Sequence, residues 1–250
     1  MVKWLNNYNN NFKYLLLDFL SSGSSNLDRF LRGGIRTGLI TNIFGASGSG
    51  KSQFCFSICA NLIKKNKDVK VIFIDTSGNF RPERILDIIE NPNLEGILHN
   101  IHYIRPYSIK DQFEAIKKIY EIKPKLVIID TITSLISIES KNIARHLILM
   151  KFIHELAHTA INNNCAIVTT NMVRNIINKM SVYKTINNTD EHQKKIKLQR
   201  EYMGKSVSLS IHIKLKFEII SISDNSYKVS FLQPFINDST IFRITKAGVL

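Results

Sequence analysis

Gly45-Ala46-Ser47-Gly48-Ser49-Gly50-Lys51-Ser52 is the stretch on which the reading of this chain turns. It satisfies Gly-x4-Gly-Lys-Ser/Thr at every position. An apolar, strand-like run (residues 39–44) enters it and a helical pattern (residues 51–64) leaves it. Glycines here free the backbone to turn successive N–H groups toward one anion, at the positive end of a helix dipole. Lys51 would reach the outer phosphates of a nucleotide, and the Ser52 hydroxyl would ligate Mg2+. The expected nucleotide contacts are Gly45, Ala46, Ser47, Gly48, Ser49, Gly50, Lys51 and Ser52. A glycine turn with no ligand is the competing reading, and the flanking elements weigh against it.

Working outward, apolar runs of strand length recur at residues 69–74, 101–104, 126–129 and 166–169. Helical patterns lie between them at 82–90, 110–120 and 142–162. Near-continuous apolar strands alternating with helices predict an α/β fold, a mostly parallel sheet covered on both faces. Lys125-Leu126-Val127-Ile128-Ile129-Asp130 ends such a strand in an acid. That places Asp130 at the carboxyl end of the sheet, where it would hold Mg2+ together with Ser52. From Val207 the pattern becomes alternating, with Leu209, Ile211 and Ile213 spaced by polar residues. Antiparallel C-terminal strands are expected there, with Ser223-Asp224-Asn225 as a turn.

The 250 residues suffice for one well-formed core, and 44% hydrophobic with 22% charged residues exclude a mostly disordered chain. No apolar stretch approaches the ~20 residues of a bilayer span. The N-terminus lacks a secretory apolar region, so the expected compartment is the cytosol, with no membrane partner. Cys55, Cys59 and Cys165 read as reduced core thiols. The net charge of +14 suggests an acidic partner without locating it. There are 18 basic and 11 acidic side chains before residue 126, and 16 and 9 after it. One segment does concentrate charge. Residues 174–205 read as a polar loop carrying Arg174, Lys179, Lys184, Lys194, Lys195, Lys197, Arg200 and Lys205 against three acids. Flexible cations there would neutralise nucleic-acid phosphates without reading sequence; a merely solvated loop is the bland alternative. Residues 1–15 are Asn-rich and read as an arm, with 16–250 as the core domain.

Three stretches carry a family resemblance. Ser21-Ser22-Gly23-Ser24-Ser25-Asn26-Leu27-Asp28-Arg29-Phe30-Leu31-Arg32-Gly33-Gly34-Ile35 resembles the lead-in of RecA-type recombinases, and Gln53 after Lys51-Ser52 fits the same group as a further implied ATP contact. Most specific is Phe73-Ile74-Asp75-Thr76-Ser77-Gly78-Asn79-Phe80-Arg81-Pro82-Glu83-Arg84-Ile85, which resembles a signature of archaeal RadA and RadB and their eukaryotic relatives. The likeness covers about residues 16–250, with gaps in 174–205, in a short form resembling RadB. It implies a P-loop NTPase of RecA-like fold that binds ATP and Mg2+. It also implies DNA binding through 174–205, a role in recombinational repair, and a main recombinase as protein partner. Arg84 occupies the family position that stacks on adenine, which a planar guanidinium suits; an exposed helix arginine is the alternative.

Three departures qualify the resemblance. Ser77 stands where the family has the glutamate that orients the attacking water, and serine cannot serve as a carboxylate base. Met172 stands where a glutamine couples nucleotide to the DNA-binding loop, and Met cannot make that hydrogen bond. No F-x-x-A polymerisation segment is found, and the length is too short for the helix-hairpin-helix domain of full-length members. The implied protein binds ATP with weak or absent hydrolysis. An active DNA-dependent ATPase using Glu83 or Asp75 stays open, as does a KaiC-like signalling ATPase with protein partners and no DNA. His154-Glu155-Leu156-Ala157-His158 matches the H-E-x-x-H zinc pattern, but it falls inside a helix whose stripe of Ile153, Leu156, Ala157 and Ala160 reads as core, and no third ligand follows.

Overall fold

The computed structural model describes residues 18–90, 98–139, 142–176 and 198–250. A nine-stranded sheet forms the centre. Its order is β13 (Gly248–Val249), β12 (Ser239–Thr245), β11 (Ser226–Gln233), β10 (Ile213–Ser221), β3 (Ile40–Gly45), β7 (Ala166–Asn171), β6 (Leu126–Asp130), β4 (Val71–Asp75) and β5 (Ile101–Ile104). From β10 to β5 every neighbouring pair is parallel, and β10 to β13 pair antiparallel. The expected mostly parallel sheet with C-terminal antiparallel strands is thus present. One detail differs: β10 lies parallel to β3, and antiparallel pairing begins only at the β10–β11 hairpin. That hairpin turns at residues 222–225, with Asn225 in the left-handed region.

The inner strands alternate between two cores, because successive strand residues point to opposite faces. Val71, Phe73, Ile128 and Val168 face one side, where α1 (Ser25–Phe30), α2 (Lys51–Lys65) and α3 (Pro82–Ile89) pack. Ile72, Ile74, Val127, Ile129 and Ile167 face the other, covered by α4 (Ile109–Ile122) and α6 (Asn142–Asn163), with the short α5 (Ser134–Glu139) beside them. Six-residue β3 and β7 are buried along their whole length, as strands covered on both faces must be. Helix starts follow local chemistry. Ser108 and Asp111 form a reciprocal capping box at α4, and Ser24 caps α1.

Two small ribbons flank the sheet: β1 (Phe19–Leu20) with β2 (Ile35–Arg36), and β8 (Val173–Ile176) with β9 (Leu198–Glu201). The second corrects the reading of 174–205 as a loop, since its two ends are antiparallel strands. The strand expected from Val207 is also corrected. Residues 204–208 form α7 (Gly204–Ser208), and β10 starts at Ile213. The spacing of four that buries Met203, Val207 and Ile211 against α6 overrides the apparent alternation, leaving Leu209 68% exposed. No helix among the described residues is long and apolar enough to cross a membrane.

Candidate functional site

The carboxyl end of β3 runs into the glycine-rich turn, and α2 leaves it. Gly45 leaves no room for a side chain, because a Cβ there would lie 2.2 Å from the Phe217 carbonyl oxygen. Gly48 and Gly50 have φ of +77° and +90°, conformations that favour glycine, and Gly50 is the residue from which α2 starts. Ser49 is fully buried, and its N–H donates to the Ala46 carbonyl at 3.2 Å. The turn borders an open cleft of about 810 Å3 whose walls include Ser47, Gly48, Lys51, Gln53 and Arg84.

Lys51 Nζ donates to the carbonyls of Gly45 (2.9 Å) and Ala46 (2.7 Å). Burial pushes its pKa below the ordinary lysine range, and the nearby Asp130 charge partly opposes that. Ser52 Oγ donates to Asp130 Oδ2 at 2.7 Å, while Thr170 Oγ1 donates to the other oxygen. Strand β6 therefore brings Asp130, which is 2% exposed, onto the first turn of α2. The hydroxyl and the carboxylate form a pair of hard oxygen ligands, a donor set suited to Mg2+.

Arg84 is committed along its edges. Nε donates to Gln53 Oε1 at 2.7 Å, one terminal nitrogen donates to the Lys246 carbonyl at 2.7 Å, and the other to the Thr245 carbonyl. These bonds clamp α3, α2 and the end of β12 together at the cleft rim, so stacking on a base would use the guanidinium face. Ser77 lies beside Asp130, with its Oγ 3.2 Å from the Asp130 carbonyl oxygen and 3.2 Å from Asp75 Oδ1, and it accepts from Asn79 Nδ2 at 3.0 Å.

Asp75, one of the two acids that could replace a missing base, is 1% exposed and wrapped by the turn after β4. Burial raises its pKa, but the backbone N–H groups of Phe80, Asn79, Gly78 and Ser77 outweigh that and hold it below the usual aspartate range. Glu83 is exposed in the first turn of α3 and does not border the cleft.

The basic residues divide into two groups. Arg174 and Arg200 are cross-strand partners in the β8–β9 ribbon, and the Arg174 guanidinium lies over the Tyr202 ring at 3.8 Å. Lys205 is exposed on α7. Lys179, Lys184, Lys194, Lys195 and Lys197 lie outside the described residues, as does the 1–15 arm. Met172 and Val173, where β7 passes into the ribbon, border the cleft directly. His154 and His158 stack edge to face at 4.6 Å on the exposed side of α6. Among the described residues no three His, Cys, Asp or Glu side chains converge as a metal set.

Sequence reasoning missed a buried polar cluster. Glu201, at the end of β9, meets Lys214 of β10 at 2.7 Å and accepts from Asn42 (2.7 Å) and Asn171 (3.0 Å). The signal that could have found it was the polar residues in two strands buried along their whole length, Thr41-Asn42 in β3 and Thr169-Thr170-Asn171 at the end of β7.

Similarity to known proteins agrees with this geometry. The Rad51 family model matches residues 15–196. The DNA repair protein RAD51 homolog of Solanum lycopersicum is 36% identical over 168 residues, covering 62% of this chain and 49% of that protein. The DNA repair and recombination protein RadA of Ignicoccus hospitalis is 35% identical over 173 residues, 62% of this chain and 53% of its own length. The chain spans about half the length of the curated relatives it matches. With the family match running from the N-terminal lead-in through the glycine-rich turn and β6 into the region of the ribbon, this chain belongs to the Rad51 family and its fold is RecA-like.

Proposed function

We propose that the chain binds Mg2+ and ATP in the cleft at the carboxyl ends of β3 and β6, hydrolyses ATP slowly, and acts on DNA in recombinational repair. The observation that carries the reading is the Ser52–Asp130 contact at 2.7 Å on a complete glycine-rich cradle, beside a serine where a carboxylate base would stand. The residues fit the nucleotide. Positive-φ glycines open the backbone toward the cleft, and Lys51 can exchange its two carbonyl partners for phosphate oxygens. Bound ATP would supply the γ-phosphoryl group whose transfer to water is the reaction, and Mg2+ would neutralise its phosphate charge. Ser52 and Asp130 would hold the metal, and Lys51 would hold the phosphates.

Slow turnover follows from what surrounds Ser77. Its hydroxyl is a poor proton acceptor at neutral pH, Asp75 spends both oxygens on the turn, and Glu83 lies off the cleft. The chain would act as a nucleotide-dependent switch or mediator, with a main recombinase as protein partner. The names of its relatives support the setting in repair and recombination. Arg174 and Arg200 on the ribbon, with the lysines of 177–197, support sequence-independent contact with DNA phosphates.

The test pairs titration calorimetry of ATP with fluorescence anisotropy of labelled single-stranded and duplex DNA at low salt. Saturable ATP binding and salt-sensitive DNA binding are expected. Absence of binding to either DNA form would leave a signalling ATPase with protein partners as the better reading.

A further inference from the structure

Lys214 and Glu201 form a salt bridge with side chains only 5% and 6% exposed, and neither residue borders the nucleotide cleft. Two charges taken out of water seldom add net stability, and an apolar pair of similar volume does as well or better. The partners of this pair indicate a different use. Glu201 Oε1 accepts from Asn42 and Asn171, so the carboxylate is satisfied on both oxygens. Lys214 Nζ also donates to the Gly204 carbonyl at 3.1 Å and to Ser208 Oγ, which satisfies the ammonium. Asn42 and Lys214 are register partners on β3 and β10, three residues before Gly45 of the glycine-rich turn. The pair is therefore rooted in the strand that delivers the phosphate cradle.

Asn171 connects it to the other wall. Its Oδ1 accepts from Thr133 Oγ1 at 2.7 Å and from the Met172 N–H at 2.9 Å, and its Nδ2 donates to the Tyr202 carbonyl at 2.9 Å. Thr133 ends the segment that leaves Asp130. In that segment Thr131 borders the cleft and the Ile132 N–H donates to the Thr170 carbonyl at 3.0 Å. The Tyr202 N–H donates to the Met172 carbonyl at 2.9 Å, which closes the base of the ribbon. An unbroken run of hydrogen bonds thus leads from the segment behind Asp130, through Asn171, to the last residue of β9.

We propose that the Glu201–Lys214 pair is a positioning device that ties the base of the β8–β9 ribbon to the nucleotide cleft, so that nucleotide occupancy sets how firmly the ribbon is ordered. This rests on the nucleotide-binding reading above. At residue 172 a thioether cannot hydrogen-bond as an amide does, and the path runs instead through the neighbouring Asn171 amide and the Glu201 carboxylate. Arg174 and Arg200 ride on the ribbon, so its order governs how they are presented to phosphates.

The experiment uses the full chain and the non-hydrolysed nucleotide AMP-PNP with Mg2+. Hydrogen exchange of the amides of residues 173–175 and 199–201 is measured with and without nucleotide, in wild type, Glu201→Gln and the apolar double variant Glu201→Leu/Lys214→Leu. AMP-PNP affinity is titrated in parallel. Nucleotide should slow ribbon exchange about fivefold or more in wild type and less than about twofold in both variants, with AMP-PNP affinity changed less than about threefold. A pair with a merely structural role predicts that the double variant melts normally and keeps the full slowing, which would overturn the proposal. Absence of slowing in nucleotide-bound wild type would overturn it equally. Absence of AMP-PNP binding by wild type would instead defeat the nucleotide-binding reading, and the titration tells the two failures apart. Should the double variant not fold, Glu201→Gln carries the test by the same criteria.

Discussion

Asp75→Asn separates a carboxylate that builds a turn from one that does chemistry. Asp75 Oδ1 accepts from the N–H groups of Ser77 (3.0 Å), Gly78 (2.6 Å) and Asn79 (3.2 Å), and Oδ2 accepts from the Phe80 N–H at 3.0 Å and the Tyr103 hydroxyl at 3.3 Å. Asparagine keeps one acceptor and converts the other into a donor, so the Phe80 N–H would face an amide N–H. One stranded donor costs about 1–3 kcal/mol, and loss of charge on the remaining bonds adds about 1 kcal/mol. A total of about 3 kcal/mol lowers Tm by roughly 6–12 °C in a chain of this size.

Thermal unfolding followed by circular dichroism reads the difference. Because backbone donors hold the folded carboxyl below its usual range, its contribution is complete above the unfolded value of about 3.9 and fades as pH falls through the folded value. The gap between wild type and variant is therefore full at pH 7 and narrows below about pH 4. A variant melting within about 1 °C of wild type at pH 7 would show that the Asp75 carboxylate does not hold the turn. So would a gap that widens on acidification. A general base at this position would show the opposite pattern, with stability kept and turnover lost.

Other outcomes follow from the same contacts. Lys51→Ala should weaken ATP binding roughly 10- to 100-fold by calorimetry while leaving Tm nearly unchanged, since the ammonium is bonded only within the turn. Arg174→Ala and Arg200→Ala should each reduce the slope of log affinity for DNA against log salt by about 1, with no change in sequence preference. Burial pushes Cys59 and Cys165 up to about 12 and Cys55 well above its ordinary value, so a thiol reagent at pH 8 should label the folded chain negligibly and all three thiols after denaturation.

The parts legible in the sequence were those in which a short local pattern determines geometry. The turn at Gly45–Ser52 needs positive φ and a helix start, and few other residue types would serve. Strand β6, an apolar run at 126–129 that ends in Asp130, is present as Leu126–Asp130, because a strand covered on both faces is apolar along its run. Residues 204–212 were misread because Val207, Leu209 and Ile211 satisfy a period of two as well as Val207 and Ile211 satisfy a spacing of four, and only packing against α6 decides between them. The commitments of Asp75 and Arg84 were invisible for another reason. Each depends on partners brought by the turn after β4 or by β12, and charged side chains in a signature look equally free for catalysis or for holding the frame. The Glu201–Lys214 pair joins residues that sit in different elements, and no local spacing announces it.

The most direct test of the central claim is steady-state ATP turnover in wild type and Ser77→Glu, with and without single-stranded DNA, using Lys51→Ala as the background. The missing base at Ser77 predicts wild-type turnover near that background despite ATP binding, and a gain of about 100-fold or more when a carboxylate is placed there beside Asp130. Brisk, DNA-stimulated turnover in wild type, with no gain from Ser77→Glu, would contradict it.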